Sequence, residues 1–285
     1  MTIERVPESE SVMEHPESVP AFEAAGLVGG PLFPIYHFNA VALSRLLPEG
    51  GCVLDIGCGP ATFLTYLLRG RPDLRAIGID LSDRMLESAK AAVCRAGFAD
   101  RVTLRKADFE TVDRSVTEPI DAIACISALH HCPNFRSLVD VLSSAERLRA
   151  RNNSAVWLFD LVRPESEKLI ELIPRAFEVR QRHPLAAAFR RDWIDSLKAG
   201  WTSAEFETAL RQAQLNVNSR EANFSQLHWT GQAVPDRERL WVDSLLNDEA
   251  IASTAAMAAG FGISVDAGDT AGKLININST GSSVL

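Results

Sequence analysis

From residue 52 to residue 162 the chain alternates short apolar runs with stretches whose apolar residues recur at helical spacing. Cys52 to Ile56, Ala76 to Asp80, Val102 to Ala107, Ile120 to Ile126 and Ala155 to Val162 are the runs, each short enough to predict a strand. The fourth is apolar apart from Asp121, as a strand covered on both faces should be. Between the runs, Thr62 to Arg69 and Phe135 to Leu148 predict helices. Ser82 is placed to cap another, with Met85, Leu86, Ala89, Val93 and Ala96 on one stripe and Gly97 at its end. This succession of β and α units predicts a parallel sheet with helices on both faces.

The flanks are less regular. Residues 21–47 set three glycines and two prolines among apolar patches, which predicts a broken helical lid and then a helix from about Asn39 to the Pro48-Glu49-Gly50-Gly51 stop. After Arg163-Pro164 a helical insert runs to Gly200, with breaks expected at Pro174 and Pro184. Thr202-Ser203-Ala204-Glu205 has capping-box spacing for a helix through Gln214, and Asn216 to Trp229 predicts two more strands. The expected fold is therefore α/β, a doubly wound, mostly parallel seven-stranded sheet with an N-terminal helical lid and a C-terminal extension. Its divisions are 1–38 for the tail and lid, 39–230 for the main domain with its insert at 164–200, and 231–285 for the extension, helical around Arg237 to Leu246 and then flexible.

Composition narrows the function. A formal net charge of -8, with both signs interspersed, gives no basic surface to gather phosphate backbones or anionic lipid, so neither nucleic acid nor membrane is an expected partner. Cys52, Cys58, Cys94, Cys125 and Cys132 form no CxxC pair and no zinc spacing, and read as thiols in a reducing compartment. The first twenty residues are acidic, lack a signal-peptide core, and are too polar to order except against the main body. A cytoplasmic protein is expected, with the extension as a candidate homodimer contact.

The chemistry concentrates in residues 53 to 63, VLDIGCGPATF, where a strand meets a glycine turn and then a helix. Gly57 and Gly59 stand where the backbone turns and where a ligand would lie against it. Asp80 ends the next strand, near the distance at which a nucleotide-binding βαβ unit sets an acid on ribose hydroxyls. A dinucleotide site would want a third glycine where Thr62 stands, and Asp55 would repel a pyrophosphate. A ribose-bearing cofactor with positive charge suits that acid better, which favours S-adenosyl-L-methionine over a nicotinamide dinucleotide.

The loop resembles the first motif of class I methyltransferases, hydrophobic-Asp-x-Gly-x-Gly-x-Gly, here Leu54-Asp55-Ile56-Gly57-Cys58-Gly59-Pro60-Ala61. Ala61 replaces the third glycine, a change accommodated if its φ is negative. The resemblance covers roughly residues 35 to 230 and implies S-adenosylmethionine bound by Asp55, Gly57, Gly59, Asp80, Leu81 and Met85, with Asp108-Phe109 at the adenine and Ser127 at the methionine end. Ala128-Leu129-His130-His131-Cys132-Pro133 looks like the "LHHxP" loop of small-molecule members, which implies a small-molecule acceptor.

Direct methyl transfer from a sulfonium needs alignment and exclusion of water, and no metal ligand is assigned. His130 and His131 are the candidate bases for a protic acceptor, and Tyr36, His37 and Trp201 the candidate walls of its pocket. Asp160 and Arg163 end the fifth strand, where this architecture places a crevice. The competing readings are a catalytically silent S-adenosylmethionine-binding regulator and an NAD-dependent oxidoreductase. A third is a peptide methyltransferase, since Ala258 to Asp266 loosely resembles the end of a nitrogen-fixation-type leader peptide ahead of LININSTGSSVL.

Overall fold

The computed structural model of the chain describes residues 3–8, 16–178, 186–222, 224–230, 241–242, 248–261, 264–267 and 274–278. Two helices lead in, α1 (Ser18–Gly26) and α2 (Phe33–Ser44). The alternating core follows as β1 (Cys52–Ile56), α3 (Thr62–Gly70), β2 (Arg75–Asp80), α4 (Asp83–Arg95), β3 (Val102–Lys106), the short α5 (Val112–Ser115), β4 (Ala122–Ile126), α6 (Phe135–Asn152) and β5 (Ala155–Leu161). Then come α7 (Glu167–Glu178), α8 (Ala186–Ala199), α9 (Ser203–Gln212), β6 (Asn218–Ala222) and β7 (Ser225–Trp229). The extension holds β8 (Trp241–Val242), α10 (Asp248–Gly260), β9 (Ser264–Ala267) and β10 (Leu274–Asn278).

The main sheet has seven strands in the order β3-β2-β1-β4-β5-β7-β6. The first five run parallel, and β7 is antiparallel to both β5 and β6. Strand alternation explains why the central runs are apolar throughout. Val53, Ala122, Ala124, Trp157 and Phe159 belong to one buried cluster, while Leu54, Ile56, Ile123, Cys125, Val156 and Leu158 belong to the other. On the first face Ala124 of β4 stands opposite Trp157 of β5, so a small and a large residue share one layer.

Several boundaries differ from the sequence reading. Helix α2 starts at Phe33 rather than near Asn39, because Pro34 sits in its first turn, where a missing N–H costs nothing. Pro174 lies inside α7 instead of ending it, and Pro184 lies outside the described residues. In the stretch read as helical around 237–246, Trp241–Val242 is a strand paired with Ile275 and Leu274; the rest of that stretch lies outside the described residues. The tail read as flexible supplies β9 and β10, paired antiparallel from Ser264–Asn278 to Ala267–Ile275, and residues 279–285 lie outside the described set. Among the described residues no helix is long and apolar enough to cross a membrane.

The alanine-rich helix α10 packs on the main body. Its buried stripe is Ala250, Thr254 and Ala258, followed by Phe261, a helical repeat. Phe261 stacks on Phe38 at 5.7 Å between ring centroids and meets Phe159 edge-on at 5.7 Å. Burying such a ring contributes about 1.5–3 kcal/mol.

Candidate functional site

A cleft opens beyond the carboxyl ends of β1, β2 and β4, where the strand order reverses between β1 and β4. Open α/β sheets bind ligands at such a switch point, because loops from neighbouring strands leave in opposite directions there. Its walls include Asp55, Gly57, Gly59, Asp80, Leu81, Met85, Phe109, Ser127, Tyr36 and His131.

The glycine turn is built by two needs. Gly57 has φ +73°, and a Cβ there would stand 2.4 Å from that of Ala128. Its N–H and that of Cys58 both donate to the Ile79 carbonyl at 2.9 Å, fastening the turn to β2. Gly59 has φ +49°, and its N–H donates to Asp80 Oδ2 at 2.9 Å. Asp80 Oδ1 accepts from the Ser82 N–H at 2.9 Å, while Ser82 caps α4 by accepting from the Met85 N–H at 3.2 Å. Burial pushes the Asp80 carboxyl up, against the pull of those amides. Ala61 takes φ +59°, not the negative φ expected of it, so this turn keeps a left-handed residue without glycine's freedom.

Two buried oxygen atoms in the cleft have no hydrogen-bond partner: Asp55 Oδ1 and Ser127 Oγ. Asp55 is 2% exposed, and burial, with the charge of Asp80, raises its carboxyl well above the usual range. Ser127 has φ +55° while its N–H donates to the Phe159 carbonyl at 2.7 Å. A bulkier-than-glycine residue held in that conformation beside a cleft is characteristic of a functional turn.

The expected acceptor-side residues separate. Tyr36 and His131 line the cleft; His130, His37 and Trp201 are not among its walls, and neither is Asp108, the residue expected at the adenine. His130 is buried in the loop after β4, where Asp160 Oδ1 lies 2.6 Å from its Nδ1 and Asp160 Oδ2 accepts its backbone N–H at 2.9 Å. Burial alone would lower its pKa, but Asp160 outweighs that and leaves it raised. His37 stacks on Phe33 and meets Thr254 Oγ1 at 2.9 Å, and burial lowers its pKa to about 4. Trp201 donates from Nε1 to the Leu129 carbonyl at 2.9 Å, bracing the loop from beneath. Asp108 caps a 3-10 turn by accepting from the Glu110 N–H at 2.9 Å.

The N-terminal segment 3–8 is ordered against the main body. Arg5 donates to the carbonyls of His130 at 2.9 Å, Cys132 at 2.6 Å and Ala199 at 2.6 Å, with its guanidinium 3.7 Å from the Trp201 ring centre. Arg163 adds a bond to the Ile3 carbonyl at 3.1 Å and an ion pair with Glu205 at 3.0 Å. Glu8 is thereby carried to the two histidines, and although burial would raise its carboxyl, His131 and His130 hold it down at about 2. Sequence reasoning missed Glu8 because an acidic, proline-flanked segment carries no periodicity. It also missed the walls Phe22, Phe63 and Ile126, apolar residues indistinguishable in type from core.

Residues 53–152 match the family described as a methyltransferase domain. The ubiquinone biosynthesis O-methyltransferase of Xylella fastidiosa (strain 9a5c) is 30% identical over 155 residues, covering 51% of this chain and 61% of that one. The chain thus spans about three fifths of the length of this curated relative. An O-methyltransferase family protein from Burkholderia thailandensis shares the fold with TM-score 0.50 and 15% identity, covering 76% of this chain and 60% of that one. The plantazolicin methyltransferase BamL, in complex with a triazolic desmethylPZN analog and SAH, has TM-score 0.51 and 19% identity, covering 74% of each chain. The family match is confined to residues 53–152, the stretch that carries the glycine turn and the strands β1 to β4, and the likeness to the solved structures is one of fold.

Proposed function

We propose that the protein binds S-adenosyl-L-methionine in this cleft and passes its methyl group, directly and in line, to a small-molecule acceptor. The observation that carries the reading is Asp55, a buried carboxyl with an unpartnered oxygen beside a glycine turn. Burying such a group is costly unless a cation or donor meets it, and the cofactor brings an ammonium and a sulfonium. The bound sulfonium supplies a methyl group that is already electrophilic.

The chain's own residues then bind and orient. Gly57 and Gly59 leave the main chain open to close approach, and Asp80, braced by Gly59 and Ser82, retains lone pairs for ribose hydroxyls. Leu81, Met85 and Phe109 wall the nucleoside and Ser127 Oγ reaches the methionine end, while Asp108, which caps the turn that carries Phe109, holds that ring in place. Tyr36 and His131 border the acceptor side.

Calorimetric titration of the full chain with S-adenosylmethionine and S-adenosylhomocysteine tests the first half, and label transfer from methyl-labelled cofactor to a panel of phenols, acids, amines and thiols tests the second. Binding at one site with transfer to a panel member is expected. No affinity for either form of the cofactor refutes the reading, and binding without transfer to any acceptor turns it toward the regulatory alternative.

A further inference from the structure

Glu8, His130 and His131 lie at the edge of the cleft and are only partly explained by the methyl-donor site. Each offers one ligand atom, and the three atoms lie within 4.8 Å of one another; among the described residues this is the group of His, Cys, Asp and Glu side chains so arranged. Their side chains are 8%, 4% and 17% exposed, so the cluster is closed to bulk water on most sides. From these positions we infer a divalent-cation site of the zinc class, with Glu8, His130 and His131 as its three protein ligands.

Three features shape the cluster for an ion rather than for an ordinary ion pair. First, Asp160 takes the Nδ1 side of His130 at 2.6 Å, which orients the ring and turns Nε2 toward Glu8 Oε1 at 4.0 Å. A carboxylate on the far nitrogen is the usual support of a metal-binding histidine. Second, His131 Nδ1 comes within 2.6 Å of Glu8 Oε2, so both imidazoles present a ring nitrogen to the same carboxylate. Third, Glu8 is delivered from a distant segment and fixed there. Ser196 Oγ donates to its Oε1 at 2.7 Å, and three residues earlier Arg5 clasps the carbonyls of the histidine loop.

Two histidines and one carboxylate satisfy three positions of a tetrahedral ion and leave one open, the pattern of catalytic rather than structural zinc. His131 belongs both to this cluster and to the cleft wall, so the ion would sit on the acceptor side. The open position suits an acceptor presenting a hydroxyl or carboxylate oxygen; this clause alone rests on the methyl-transfer reading.

The test uses the full chain, stripped with a chelator and dialysed against metal-free buffer, with Zn2+ titrated calorimetrically and Co2+ followed by its visible absorption. One equivalent of either ion is expected, with cobalt bands of low-symmetry coordination. Glu8→Gln, almost the same shape, should weaken binding at least roughly tenfold, and Asp160→Asn, acting through His130, roughly 10- to 100-fold. S-adenosylhomocysteine affinity measured on the same samples should be unchanged in Glu8→Gln, which separates failure of the ion site from failure of the donor site and reports folding. Unchanged Zn2+ affinity in Glu8→Gln, or no stoichiometric binding by the parent chain, overturns the inference and leaves the cluster as a clasp for the N-terminal segment.

Discussion

Asp55→Asn should make the ligand-free protein more stable and the liganded protein weaker. The carboxyl is 2% exposed, one of its oxygens has no partner, and its pKa is raised by burial and then by Asp80. Leaving a buried group unsatisfied costs about 1–3 kcal/mol, and more when it is charged. Removing the charge should therefore recover about 2 kcal/mol at slightly alkaline pH, or roughly 4–8 °C in Tm for a domain of this order of size. The pH dependence fixes the sign. A carboxyl whose folded pKa is raised contributes stability fully present below its unfolded value, about 3.9, and lost as pH rises through the folded value. The gap between variant and parent should thus open with rising pH, by at most about 1.4 kcal/mol per unit. The same substitution removes a charge-assisted contact worth about 1.5–3 kcal/mol to a cationic ligand, so S-adenosylhomocysteine should bind roughly 10- to 150-fold more weakly. Urea unfolding across pH, paired with calorimetric titration, reads both effects. A stability gap that does not grow with pH, or undiminished affinity, would refute the argument that Asp55 is held as an unpaired acid for a cation.

Three further outcomes follow from single sites. His37, with its pKa lowered to about 4, must be charged in the unfolded chain before it is charged in the folded one, so stability should fall by about 3 kcal/mol as pH drops from about 6.5 to 4; His37→Phe, which keeps the stack on Phe33, should remove that component of the acid slope in chemical denaturation. Gly57→Ala would set a Cβ 2.4 Å from Ala128 at φ +73°, and a loss of about 2–5 kcal/mol together with loss of S-adenosylhomocysteine binding is expected, measured by Tm and titration. Thr202→Ala breaks a complete capping box with Glu205 at the start of α9, for a loss of about 1–2 kcal/mol in urea unfolding with cofactor affinity unchanged.

The parallel half of the fold was legible because its strands are apolar runs and its helices carry one stripe each; the five central strands fall within a residue or two of the expected spans. The glycine-turn side of the cleft was legible for a different reason. Asp55, Gly57, Gly59 and Asp80 are exceptional for their setting, two left-handed turns and two acids at strand ends, and local sequence records such exceptions. The acceptor side depends on contacts between segments far apart in the chain. His130 and His131 are adjacent in sequence, yet one is bonded to Asp160 thirty residues on and the other meets Glu8, more than a hundred residues back. Nothing in the spacing of either histidine distinguishes the buried one from the one in the cleft. His37 and Trp201 misled for the reverse reason, since aromatic rings that brace a core look the same in sequence as rings that wall a pocket. The strand at Leu274–Asn278 was readable in principle from the alternation of Ile275 and Ile277 with Asn276 and Asn278, a signal that the surrounding polar residues obscured.

The seating of α10 bears on how the protein can be shortened. Phe38 and Phe159 are covered by Phe261, and the carbonyl of Phe261 is in turn held by Arg220. A version cut at the close of β7 would strip that roof and uncover the rings of Phe38 and Phe159. Such a trimmed protein would keep every residue that lines the cleft and still be prone to clump, a failure of solubility easily misread as a failure of binding.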